Sequence, residues 1–136
     1  MNMVRLCVGA EKVEDLIDWQ KRRYGGQNPM HVTRMWPKRA AEILNGGSLY
    51  WVFKGVVLAR QLIVRFDERL GEDGITRCAI VFDPQIIRTE AMPKRPFQGW
   101  RYLKPEDSPC DLPPGREAEQ DLPRELMTAL SEIGLR

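Results

Sequence analysis

At 136 residues, with 43% hydrophobic and 29% charged positions, the chain has the length and composition of one folded domain with a real core. A net charge of +2 is too small to define a nucleic-acid binder through bulk charge, so the distribution of charge carries more weight than its sum. No apolar run approaches the roughly 20 residues of a membrane helix. The start, Met1-Asn2-Met3-Val4-Arg5-Leu6, lacks the basic, apolar and small-residue sections of a signal peptide, so a cytoplasmic location with no membrane partner is expected.

In chain order, Met3–Val8 reads as a short strand ended by Gly9. Val13, Leu16, Ile17 and Trp19 fall at helical spacing, with Glu11, Glu14 and Asp15 early, Lys21, Arg22 and Arg23 late, and Gly25-Gly26 as the stop. Met30–Met35 is extended, and Pro37 opens a short helix over Lys38–Leu44 with Ala40, Ile43 and Leu44 on one face. From Ser48 the chain is β-rich. Leu49–Phe53 is apolar throughout, which suits a strand covered on both faces. Val56–Phe66 follows, its even positions apolar except Arg60. Gly71-Glu72-Asp73-Gly74 joins it as a hairpin to Ile75–Asp83, where Cys78, Ile80 and Phe82 share a face. Ile86–Glu90 and Phe97–Leu103 supply two more strands. Residues 104–121 form an acidic, proline-rich strap, and Pro123 opens a helix over 122–134. The expectation is a single α+β domain over residues 1–136. Its core is a mostly antiparallel sheet or small β-barrel, flanked by two N-terminal helices and one C-terminal helix.

Four passages together carry a resemblance: Met3–Ala10, His31–Trp36, Gly47–Gly55 and Phe97-Gln98-Gly99-Trp100-Arg101-Tyr102-Leu103. They resemble a family of small alphaproteobacterial proteins classed as a domain of unknown function. That likeness implies a bacterial single-domain protein and brings no activity, cofactor or catalytic residue. In element order the chain is also similar to the RNA-binding barrels of pseudouridine synthases and archaeosine transglycosylases (PUA-like barrels). The Lys-Glu pair that the coactivator-homology relatives carry after the helix-ending glycine is absent, since Gly47 is followed here by Ser48-Leu49.

Charge is unevenly spread. Residues 20–45 carry Lys21, Arg22, Arg23, Arg34, Lys38 and Arg39 against Glu42, and residues 84–104 carry Arg88, Lys94, Arg95, Arg101 and Lys104 against Glu90. In residues 105–125 acids outnumber Arg116 and Arg124. The basic regions either converge on an anion-binding face or are capped by the strap. Aromatic side chains interleaved with bases can stack on a nucleobase while guanidinium groups hold phosphates. The leading expectation is therefore an RNA- or nucleotide-binding module, with Trp100 and Tyr102 stacking and Arg34, Lys38, Arg39, Arg95 and Arg101 on phosphates.

Two other readings stand beside it. Arg60 interrupts an apolar strand face, so it is either paired (Asp67, Asp83 and Glu90 are the candidates) or a clamp for an anionic substrate, alongside Lys54 and Gln61. His31, the only histidine, would then be the acid–base group of a small enzyme. Alternatively, Trp51, Trp100 and the prolines form a surface for a protein partner. Cys7, Cys78 and Cys110 are scattered and odd in number, which argues against a disulfide framework. With His31 they lack the closely spaced ligand pairs of structural zinc, so no metal or other cofactor is expected.

Overall fold

The computed structural model describes residues 1–95 and 97–112. The helix expected over 122–134, and the strap beyond residue 112, lie outside the described residues. In chain order the elements are β1 (Asn2–Leu6), α1 (Val13–Tyr24), β2 (Met30–Thr33), α2 (Ala40–Leu44), β3 (Ser48–Phe53), β4 (Val56–Leu70), β5 (Thr76–Phe82), β6 (Ile87–Pro93) and β7 (Trp100–Leu103). A short 3₁₀ turn, Pro105–Asp107, follows.

The strands join in the order β2-β5-β4-β3-β1-β7, with β6 paired to β4. Every pairing is antiparallel except β1 with β3. Among the described residues β2 and β7 are the two ends and do not pair with each other, so the sheet is open and the barrel alternative is corrected. The two N-terminal helices are present; β7 is shorter than the strand expected over Phe97–Leu103.

Strand β4 organises the sheet. Its first half pairs with β3 and β6, and its second half leaves them to pair with β5. Register shifts fall at Val57/Ala59 against β3 and at Ile63/Arg65 against β5, and each inserts a β4 residue that reverses the side-chain phase. The single apolar face expected from Val56 to Phe66 is therefore broken. Gln61 and Ile63 turn inward, while Leu62 and Val64 are 36% and 43% exposed.

Residues of β3 are buried on both faces, as their unbroken apolar run requires. On one side Met3, Leu49, Trp51, Phe53, Phe82 and Trp100 pack with Val13 and Leu16 of α1 and Ile43 of α2. On the other, Val4, Tyr50, Val52, Val57 and Leu103 form a smaller core with Leu6, Met92 and Phe97. Helix α1 docks by Val13, Leu16 and Gln20; Trp19, expected inward, lies on the outer flank. Gly25 ends α1 in the left-handed conformation (φ 57°), which a residue without Cβ adopts at little cost. At the end of α2, Gly47 passes so close to the Ile43 and Met1 carbonyl oxygens that a Cβ would overlap both. Among the described residues no helix is long and apolar enough to cross a membrane.

Candidate functional site

A cleft of about 620 Å³ opens between α1 and the sheet. Its base comes from Arg5 of β1, Cys7 just after it, the start of β2 (Met30, His31), Trp51 of β3 and Phe82 of β5. The flank of α1 supplies Asp15, Asp18, Trp19 and Arg22, and the β1–α1 loop closes one end. Local sequence builds this shape. Gly9, at φ 87°, turns the chain away from β1. The Asp15 carboxylate then accepts the Glu11 and Lys12 backbone N–H groups at 3.0 and 3.2 Å, fixing where α1 begins.

Arg5 occupies the inward phase of β1. It is registered beside Trp51 on one neighbouring strand and Trp100 on the other, so the three side chains share a face. The guanidinium is half-buried and forms no hydrogen bond or ion pair among the described residues. Burial lowers its pKa, and the nearby Cys7 only partly opposes this. His31 is pushed down to about 4, first by burial and then by the charge of Arg5, so it is neutral at physiological pH. Burial likewise drives the Cys7 thiol up to about 12, which keeps it protonated.

Beneath the cleft lies an amide network that holds α1 to the sheet. Gln20 and Gln61 exchange amide hydrogen bonds: Gln20 Nε2 donates to Gln61 Oε1 at 2.9 Å, and Gln61 Nε2 donates to Gln20 Oε1 at 2.8 Å. Trp51 Nε1 donates to the same Gln61 oxygen at 2.9 Å, and Gln61 Nε2 also donates to the Asp83 carbonyl at 3.1 Å. Both lone pairs and both N–H bonds of the Gln61 amide are thus used internally. Gln61, expected to face a ligand, serves as scaffold.

The remaining members of the expected small-molecule set do not join His31. Arg60 is registered opposite Tyr50, one residue out of phase with Trp51, and so belongs to the other face of the sheet from the cleft. There its Nε and Nη2 form a two-pronged pair with Asp111 at 2.7 and 2.8 Å, and Nη1 donates to Ser48 Oγ at 2.8 Å. The partner is the strap residue Asp111, in place of Asp67, Asp83 or Glu90. Asp111 is delivered by a short strand-like addition to β6, in which Glu90 N–H donates to the Cys110 carbonyl and Leu112 N–H to that of Arg88. Lys54 is exposed at the β3–β4 turn, where it pairs with Glu11 at 3.1 Å on the cleft rim.

The expected basic–aromatic face is also redistributed. Trp100 is 3% exposed; its indole N–H donates to the Met35 carbonyl at 3.1 Å, and its ring meets Tyr102 edge-on at 4.9 Å. No ring face is left for a base to stack on. Tyr102 is 37% exposed, with the Arg39 guanidinium 5.9 Å from its ring centre, and Arg39 is ion-paired with Glu42. Arg34 and Lys38 are exposed on the same 34–39 segment, together with Met35 and Trp36. Arg101 faces the other way, over Phe97, and Arg95 lies near the β3–β4 turn, where its neighbour Lys94 bonds Gly55. Of the residues expected on a protein-partner surface, the Trp51 and Trp100 rings are both buried.

Sequence reasoning alone does not single out Arg5, Asp18, Trp19 or Trp36 as site residues. For Arg5 a signal exists: it shares one phase of the Met3–Val8 alternation with Met3 and Cys7, and a charge among inward positions is the same anomaly that singles out Arg60.

A family model described as a protein of unknown function (DUF1489) matches residues 3–136, and the chain belongs to that family. No curated protein and no solved structure matches the chain.

Proposed function

We propose that this member of the family is a binding protein for a small anionic molecule, taken into the cleft between α1 and the sheet with Arg5 as its anchor. The observation that carries this reading is the half-buried Arg5 guanidinium, which has lost part of its hydration and gains no counter-charge among the described residues. A ligand anion would supply that charge, and a guanidinium–anion pair in a partly desolvated cleft is among the stronger polar contacts available to a protein. Neutral His31 beside it offers one donor and one acceptor without adding charge.

Binding is favoured over catalysis because the imidazole and the thiol in the cleft are both held away from neutral titration. A His31 pKa near 4 and a Cys7 pKa near 12 leave neither group poised to exchange protons at neutral pH. The test is a ¹H–¹⁵N NMR titration with inorganic phosphate, acetate and benzoate, each to about 10 mM, which reaches weak millimolar affinities. Saturable shifts at Arg5, Cys7 and His31 are expected, with affinity about tenfold or more weaker in Arg5→Gln. Absence of shifts with all three anions, or shifts unchanged by Arg5→Gln, would refute the reading.

A second reading has its own observation. Exposed Trp36 and Tyr102, set beside Arg34, Lys38 and Arg39 along the end strand β7, keep the elements of a single-stranded RNA contact although Trp100 has left it. Labelled RNA should then bind with a strong salt dependence, and Trp36→Ala should weaken it by about tenfold, the share of one stacked base. RNA binding that ignores both salt and Trp36→Ala would dismiss this strip.

A further inference from the structure

The two walls of the cleft differ in charge. On α1 and the turn before it, Glu11, Asp15, Asp18 and Trp19 follow one flank of the helix, at spacings of three to four residues. Two of these acids are already committed: Glu11 pairs with Lys54, and Asp15 caps the helix start. The Asp18 carboxylate has no hydrogen bond or ion pair among the described residues; only its backbone carbonyl is engaged, by Arg22 Nε at 3.4 Å. The sheet wall carries Arg5 in the same uncommitted condition. Between them Leu16, Trp51 and Phe82, all buried, lie at the base, and Trp19, 48% exposed, stands at the mouth.

A simple anion satisfies Arg5 but leaves the Asp18 carboxylate on the helix wall without a partner. A molecule carrying both signs satisfies both walls. We propose that the cleft takes a free amino acid with an apolar side chain. Its carboxylate lies on Arg5, its ammonium on Asp18, and its side chain against Trp19 at the mouth. His31 contributes a neutral hydrogen bond near the carboxylate end. The inference rests on the anion-site reading and narrows it to one ligand class.

The experiment compares three probes that share one ring: L-phenylalanine, 3-phenylpropionate, which lacks the ammonium, and 2-phenylethylamine, which lacks the carboxylate. Each is titrated into the full chain and followed by ¹H–¹⁵N NMR. Phenylalanine is expected to bind about tenfold or more tightly than either truncated probe, the worth of one charge-assisted hydrogen bond in a partly desolvated site. Asp18→Asn, an exposed change that the fold tolerates, should erase the advantage of phenylalanine over 3-phenylpropionate. Arg5→Gln should weaken both carboxylates, with its thermal unfolding recorded to confirm that the protein is folded. Equal affinities for phenylalanine and 3-phenylpropionate would overturn the amino-acid assignment while the anion site stands. Binding of acetate or benzoate without binding of phenylalanine would overturn it in the same way. No shift from any anion or from phenylalanine would overturn both.

Discussion

Replacing Gln61 by Leu tests whether the amide network under the cleft holds the fold together. Gln61 is fully buried and takes part in four hydrogen bonds, to Gln20 twice, Trp51 and the Asp83 carbonyl. At a net worth of about 1 kcal/mol each, their loss costs about 4 kcal/mol, and the extra apolar surface of leucine returns about 1 kcal/mol. The expected destabilisation is about 3 kcal/mol, or a Tm lower by about 10 °C in a chain of this size. Gln20→Leu removes only the two exchanged bonds and, with the same return from leucine, should cost about 1 kcal/mol. In the double variant the unmet glutamine groups vanish together, leaving only the Trp51 N–H and the Asp83 carbonyl without their partner. Its cost should stay near that of Gln61→Leu alone, a coupling of about 1 kcal/mol by urea denaturation. A Gln61→Leu cost below about 1 kcal/mol, or simple additivity in the double variant, would refute the network as the tie between α1 and the sheet.

Three further outcomes follow from the same geometry. His31 has a folded-state pKa near 4 against about 6.5 when unfolded, so between these values the unfolded chain binds more protons. Stability should be full above pH 6.5 and fall by at most about 3 kcal/mol as pH drops to 4. His31→Gln should flatten that slope, and an unchanged slope would contradict the assignment. Gly47→Ala should destabilise by about 2 kcal/mol or more in thermal unfolding, because the neighbours its Cβ would strike are backbone carbonyls that cannot swing aside; a neutral result would refute that close approach. Asp111→Ala should cost about 1 kcal/mol, since Arg60 loses both prongs of a partly exposed pair. It should also speed amide exchange at Glu90 and Leu112, whose N–H groups bind the strap segment to β6 and the reverse; unchanged exchange would show that the strap holds without the pair.

Much of the fold is legible in the sequence because its signals are local. An unbroken apolar run marks β3, the order of acids and bases with a terminal glycine marks α1, and Gly71-Glu72-Asp73-Gly74 marks the β4–β5 hairpin. What misleads is phase. Alternation assumes that a strand keeps one face throughout, and β4 shifts register twice while passing from β3 and β6 to β5. That exchange sends Gln61 into the core and Leu62 and Val64 toward solvent, so a polar residue that reads as a ligand contact is scaffold. Arg60 reads as anomalous from sequence, but its partner, 51 residues away in the chain, is brought to it by pairing at the edge of β6.

The contrast between Arg60 and Arg5 is what shifts the functional weight. Both are arginines on inward-reading strand positions, and the same cost of stripping water from a guanidinium applies to each. At Arg60 the protein answers that cost with two carboxylate oxygens and a serine hydroxyl, and the site is complete. At Arg5 the adjoining side chains are two tryptophans, a neutral imidazole and a protonated thiol, and no acid of the facing α1 wall pairs with it. A structural arginine would have been matched as Arg60 is. An arginine left open at the base of a cleft is matched by what enters the cleft, and Arg5→Gln therefore separates the two residues experimentally. The change should preserve or raise stability, since it removes a partly desolvated, unpaired charge, while weakening anion binding about tenfold or more. The charge at Arg5 also depresses the His31 pKa. The same substitution should therefore lift the His31 midpoint above 4 yet leave it below 6.5, because burial, the larger cause, remains. A destabilised Arg5→Gln protein with an unmoved His31 midpoint would place Arg5 with Arg60 as a purely structural residue.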